Sequence, residues 1–150
     1  MTICYRLCKA QYAAHSGAGS ALYPGRWNPE GVPVVYAASS VALAALEVLV
    51  HNDNTTPRGY IITEIHVPSA AVETISTALL PRGWNDTKLS PRTLREFGGR
   101  WVEEARSAVL EVPSVVVPAS SIYVLNPAHP DFSQIRFLPS IPFKFDPRLK

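Results

Sequence analysis

Long apolar runs, a strong charge of one sign and paired cysteines are all missing from this chain, and each absence removes a class of function. The longest uncharged apolar stretch falls within residues 41–46, far short of the ~20 residues a helix needs to span a bilayer. The opening residues, MTICYRLCKA, hold no apolar segment preceded by positive charge, so neither a leader nor a membrane anchor is expected, and the expected compartment is the cytoplasm. Lys and Arg never form a run, and a net charge of +2 with a pI near 8.6 creates no strong field. Direct contact with DNA or RNA is therefore not expected. Cys4 and Cys8 are the only cysteines, and without a second pair or a histidine cluster they suit neither a zinc knuckle nor a disulfide framework. The histidines at 15, 51, 66 and 129 show no H-x-x-x-H spacing, so no metal is expected. No G-x-S-x-G, Walker loop or C-x-x-C occurs either.

What is present fits a single domain over residues 1–150. A chain of this length buries roughly 68–70% of the surface its unfolded form exposes, enough for a core without cross-links. Hydrophobic residues make up 47% and charged residues 17%, an apolar balance that leaves room for a partner surface. The 14 prolines are spread along the chain rather than clustered, which points to short strands and rigid turns instead of a linker.

Residues 3–8 read as an opening strand, followed by a small-residue loop, AAHSGAGSALYPG, whose glycines permit φ > 0 and close backbone approach. A turn at Pro29-Glu30-Gly31 leads to a β-branched strand over 32–37. Ser39 or Ser40 then caps a helix running to about His51. YIITEIHV alternates and predicts a strand over 60–67 with one wetter face. Residues 93–105 read as helical, with Gly98-Gly99 as a break that divides the segment in two. AVLEV, SVVV, SIYVL, QIRFL and PFKF follow as short β runs between prolines. Helices and strands interleave without βαβ repeats, so the fold class is α+β.

The densest chemistry lies in residues 23–51, YPGRWNPEGVPVVYAASSVALAALEVLVH, where a turn, a strand and a helix carry one arginine, one tyrosine and one glutamate. Together these types can hold and cleave a dinucleotide. Arg26, beside Gly25, offers a planar fork suited to a diphosphate, or is a solvated turn residue. Tyr36 offers a face for a planar ring, or is half-buried core. Glu47 is the one charge among Leu43, Ala44, Val48 and Val50, and burying it unpaired costs several kcal/mol in effective terms. Ser40, Glu47 and His51 otherwise form a polar stripe facing water. Ser114, opening SVVV, can donate to a substrate or to Glu47, or cap its own backbone. Arg6 can supply a second cation.

Taken together these segments resemble the RES-domain family, toxins of type II toxin–antitoxin pairs named for their Arg, Glu and Ser. GRWNPEGVPVVYAASSVALAALEVLVH is similar to the family's GRWN-x-x-G-x-x-V-x-Y…LE-x-L-x-H block, VLEVPSVVVP to its VPS segment, and YVLNPAHPDF with FKFDPRL to its closing block. The resemblance implies a fold like that of ADP-ribosyltransferases, a pair of small β-sheets around an NAD cleft with flanking helices. It further implies cleavage of the nicotinamide–ribose bond of NAD, by glycohydrolase or phosphorylase action, or ADP-ribosyl transfer to a protein. Glu47 would be the catalytic glutamate, Arg26 the family arginine, Tyr36 the ring against nicotinamide and Ser114 the serine. Arg6 would assist on the phosphates. The implied partner is an Xre-like helix-turn-helix antitoxin that covers the cleft. Just before Tyr123, where the family commonly carries an Asn, this chain departs from the pattern with Ser120, Ser121 and Ile122. A non-enzymatic module, with Arg26, Tyr36 and Glu47 forming a partner surface, is the contrasting reading.

Overall fold

The computed structural model, which describes all 150 residues, has eight strands, all paired; seven fall on segments read as extended in the sequence, SVVV is not among them, and the strand at Val72–Thr74 was not foreseen. In chain order the elements are β1 (Thr2–Lys9), α1 (Ala18–Leu22), β2 (Val35–Ala38), α2 (Val41–Val50), β3 (Tyr60–Val67), β4 (Val72–Thr74), α3 (Arg92–Glu104), β5 (Val109–Pro113), β6 (Ser121–Leu125), β7 (Arg136–Phe137) and β8 (Ile141–Phe143). The sheet order is β4-β5-β6-β2-β1-β3-β7, with β8 also on β3. Every pairing is antiparallel except β4 with β5. The α+β expectation holds, and no helix is long and apolar enough to cross a membrane.

The expected pair of small sheets is one sheet with two wings. β1 pairs with β3 from Thr2↔Val67 to Lys9↔Tyr60, and β2 pairs with β6 from Val35↔Leu125 to Ala38↔Ile122. Between the wings, β1 meets β2 at a single register position, Tyr5↔Ala38. A ladder that closes at one point leaves the two strands free to diverge on either side of it. The main cleft of the molecule is lined by both strands at this seam.

Alternation along β2 separates two cores. Val35 and Ala37 face a cluster with Cys4, Ile65, Val109 and Leu125, while Val34 joins Trp27, Leu94, Trp101, Leu110 and Val124 on the other side. The second cluster is covered by α3, whose Leu94, Phe97 and Trp101 share one face.

Four local expectations are corrected. Gly98-Gly99 does not break α3, because packing overrides propensity: a Cβ at position 98 would lie 1.7 Å from the Trp27 carbonyl oxygen. SVVV is not a strand, because Ser114 Oγ accepts from the amides of Val116 and Val117 at 3.1 and 3.0 Å and turns the chain. The strand predicted over 32–37 begins only at Val35, since Pro33 has no amide and the Val34 amide donates to Ser20 Oγ at 3.0 Å. The small-residue loop contains the helix α1, and Gly17 has φ −92, so it serves contact with Pro33 rather than a left-handed turn. The capped helix is as expected: Ser40 Oγ accepts from the Leu43 amide, and α2 ends at Val50 with His51 as its C-cap.

Candidate active site

The turn before β2 is built around Asn28, which is fully buried. Its Oδ1 accepts from the Gly25 amide at 2.8 Å and from the Tyr36 hydroxyl at 2.6 Å. Its Nδ2 donates to the carbonyls of Ser20 at 2.8 Å, Val32 at 3.0 Å and Pro29 at 3.3 Å. Every polar atom of the amide is used, as burial requires. The Tyr36 hydroxyl also accepts from the Trp27 amide at 3.1 Å. Burial pushes the Tyr36 phenol up, against the smaller lowering influences of the Trp27 amide and the Arg95 charge. Gly25 makes room for this ring, since a Cβ there would come within 2.8 Å of it.

From this fixed turn the Arg26 side chain emerges half-buried, with neither a hydrogen bond nor an ion pair, on the lining of the seam cleft. Arg6, from β1, crosses the seam: its Nη1 donates to the Tyr36 carbonyl at 3.2 Å, and its buried Nε has no partner. An unpaired buried donor is costly, and a ligand acceptor in the cleft would relieve that cost.

Glu47 reaches the same cleft from α2, half-buried rather than sealed in the core or spread on the surface. Ser114, fully buried, donates its hydroxyl hydrogen to Glu47 Oε1 at 2.8 Å. The Ser114 lone pairs are taken by the Val116 and Val117 amides, so this hydroxyl has nothing left to offer a ligand and acts on the carboxylate alone. Two of the sequence readings of Ser114, the backbone turn and the bond to Glu47, are met at once.

The cleft has a volume of about 770 Å³, within the usual range for small-molecule sites. Arg6, Lys9, Arg26 and Arg95 line it, with Glu47 as the one carboxylate and aromatic faces from Tyr5, Tyr12, Tyr23, Tyr36 and Tyr60. A planar, anionic molecule with a region of developing positive charge matches that set. At the departing stretch, Ile122 gives the cleft an apolar patch, while Ser120 and Ser121 serve the backbone: the Ser120 carbonyl accepts from the Ser114 amide at 2.8 Å. No three of His, Cys, Asp and Glu come together as metal ligands would.

Arg6, Arg26, Tyr36 and Glu47 are thus brought to one cleft, with Ser114 behind Glu47. Two residues of the site escaped the sequence reading. Asn28 carried a usable signal, an Asn-Pro turn two residues after the arginine. Arg95 carried none, as it bonds to residues 70 and 71 positions away.

Comparison with known proteins places these features in a group. The family described as RES domain matches residues 3–146. The chain is similar to a Prs ADP-ribosylating toxin of Sphingobium sp. (strain YBL2), 43% identical over 138 residues that cover 89% of this chain and 85% of that protein. It is similar to a Toxin Res of Photorhabdus laumondii subsp. laumondii, 39% identical over 151 residues covering 98% and 96% of the two chains. The fold resembles a chain in the crystal structure of the M. tuberculosis MbcT-MbcA toxin-antitoxin complex, with a TM-score of 0.76 at 20% identity, over 95% of this chain and 84% of that one.

Proposed function

The chain belongs to the RES domain family, and on that premise we propose that it is a single-domain toxin whose seam cleft, like that of an ADP-ribosyltransferase, takes NAD and cleaves the nicotinamide–ribose bond. One observation carries the reading. A carboxylate fixed at its own oxygen, Glu47 held by Ser114 at 2.8 Å, shares a cleft with the unpaired guanidinium of Arg26 and the half-paired one of Arg6.

The chemistry follows from those groups. As the C1′–N bond breaks, its electron pair leaves with nicotinamide and the ribose acquires oxocarbenium character. Glu47 accepts from the ribose hydroxyls through Oε2, which Ser114 leaves free, and its charge stabilises the cation. Arg26 and Arg6 hold the diphosphate, so that binding remote from the reacting bond fixes the ribose. Tyr36, its hydroxyl tied to Asn28, presents its ring toward nicotinamide. Water or phosphate then takes the ADP-ribose.

A second reading, transfer of ADP-ribose to a protein, is favoured by the name of the Sphingobium relative, an ADP-ribosylating toxin. The natural partner is proposed to be a helix-turn-helix antitoxin of the Xre-like kind, in line with the toxin–antitoxin complex among the structural relatives. Incubating the purified chain with NAD labelled on the adenosine side, with and without cell lysate, tests the two enzymatic readings. Release of nicotinamide with free ADP-ribose or its phosphate supports depletion, and label on protein supports transfer. Intact NAD in both incubations would refute the enzymatic reading and leave a partner-binding module.

A further inference from the structure

Helix α3 contains no residue that the proposed chemistry uses, yet it grips the turn carrying Arg26 on both sides. Before Arg26, the Arg95 guanidinium donates from Nε to the Gly25 carbonyl at 2.9 Å and from Nη2 to the Pro24 carbonyl at 3.1 Å. After Arg26, the Trp27 carbonyl sits in the notch left by Gly98, where a Cβ would approach to 1.7 Å. Arg26 is thus suspended between two anchored neighbours, while its own side chain has no partner. Its backbone alone decides where the guanidinium begins.

Arg95 differs from an ordinary helix arginine. Its near neighbour Arg92 pairs with Glu96 four residues on, with both side chains largely in solvent, an arrangement of little energetic weight. Arg95 is half-buried, meets no carboxylate, and spends its fork on two successive carbonyls of a distant loop. A planar fork can bridge both oxygens, which the compact ammonium of a lysine cannot do in the same geometry.

We propose that Arg95 is a positioning residue for Arg26, acting through the Pro24–Gly25 backbone, so that α3 sets where the anion-holding guanidinium stands in the cleft. NAD as the probe rests on the reading above, but the positioning itself does not. Arg95 also lines the cleft, and direct contact with the ligand is the competing role.

A double-mutant cycle separates the two roles. NAD affinity is measured on a Glu47→Gln background for Arg95→Lys, Arg26→Ala and both together. Positioning predicts that Arg95→Lys weakens binding roughly tenfold when Arg26 is present, within the range that misplacement of a holding group produces, and hardly at all once Arg26 is gone. The same factor in both backgrounds, or no effect in either, overturns the proposal. A second readout needs no NAD: amide hydrogen exchange at Gly25 and Trp27 should quicken in Arg95→Lys while exchange in β3 stays as it was. Unchanged exchange at Gly25 and Trp27 overturns the proposal as well. Should Arg95→Lys not fold, Arg95→Gln, whose amide reaches one carbonyl, takes its place in both measurements. If the unsubstituted turn binds no NAD while the exchange result holds, the NAD reading falls and the positioning role stands.

Discussion

Two charged contributors to the cleft, Arg26 and Glu47, are held in opposite ways. At Arg26 the protein fixes the root and frees the tip: the Gly25 amide, the Trp27 amide and the carbonyls of Pro24 and Gly25 are all bonded, while the guanidinium is bonded to nothing. At Glu47 the root is one turn of a regular helix, and the protein instead fixes the tip through Ser114. The contrast follows the tasks proposed for them. A cation that meets a flexible diphosphate gains from a stable base and an adaptable end, whereas a carboxylate facing a charge that develops at one carbon must already be in place. Damage to the first plan should therefore appear as stability and affinity, and damage to the second as turnover.

The largest effect tests the second plan. Glu47→Gln keeps the volume and the bond from Ser114 but removes the charge, and should cost about 3–4 kcal/mol of transition-state stabilisation, as the loss of a preorganised electrostatic group does. Turnover should fall by a factor on the order of a hundred to a thousand while the melting midpoint barely moves. Near-full NAD turnover in a folded variant would remove Glu47 from the mechanism. Next comes the first plan at its centre. Asn28→Ala strands the Gly25 amide and several carbonyls in a buried site, at about 3 kcal/mol, given ~1–3 kcal/mol for each buried group left unmet. Calorimetry should show a melting midpoint lower by roughly 2–4 °C per kcal/mol for a chain of this size. An unchanged midpoint would mean that the turn does not depend on Asn28. A smaller loss, about 2 kcal/mol, is expected for Tyr36→Phe, which keeps the ring but orphans the Trp27 amide. Both stability and NAD affinity should decline together, and a variant equal to the parent in both would confine Tyr36 to its ring.

The parts of this site that could be read in the sequence are those in which neighbours in the chain are neighbours in space. Turn, strand and capped helix follow one another from Gly25 to His51, so Arg26, Tyr36 and Glu47 were bound to come near each other once Ser40 started the helix and Pro29 turned the chain. Ser114 was singled out by the resemblance of VLEVPSVVVP to the family's VPS segment, and its bond to Glu47 supplies the donor that a carboxylate on an apolar helix calls for. What stayed hidden depends on distant packing. Gly98 has the propensity of a break, yet it permits a contact with Trp27 that only the folded chain creates. Arg95 looks like any helix arginine until the Pro24–Gly25 carbonyls arrive from the other end of the sequence. The single sheet was hidden too, since the strand pattern says which segments are extended but not that β1 and β2 meet at one position.

The smallest expected effect sharpens the comparison most, because it asks whether fixing the tip matters once the charge is kept. Ser114→Ala keeps the Glu47 carboxylate in the cleft but frees its Oε1, and it also unties the Val116 and Val117 amides. A hydrogen bond to a charged group contributes about 1.5 kcal/mol at the low end of the measured range, so turnover should fall roughly tenfold. The division between parameters is the informative part. A residue that only holds Glu47 in place for the transition state lowers kcat and leaves KM nearly unchanged, whereas a residue that touches bound NAD raises KM. With its hydroxyl hydrogen on Glu47 and both lone pairs occupied, Ser114 belongs to the first kind. A raised KM at unchanged kcat would show instead that the hydroxyl leaves Glu47 when NAD arrives, and the fixed tip would then be a property of the empty cleft alone.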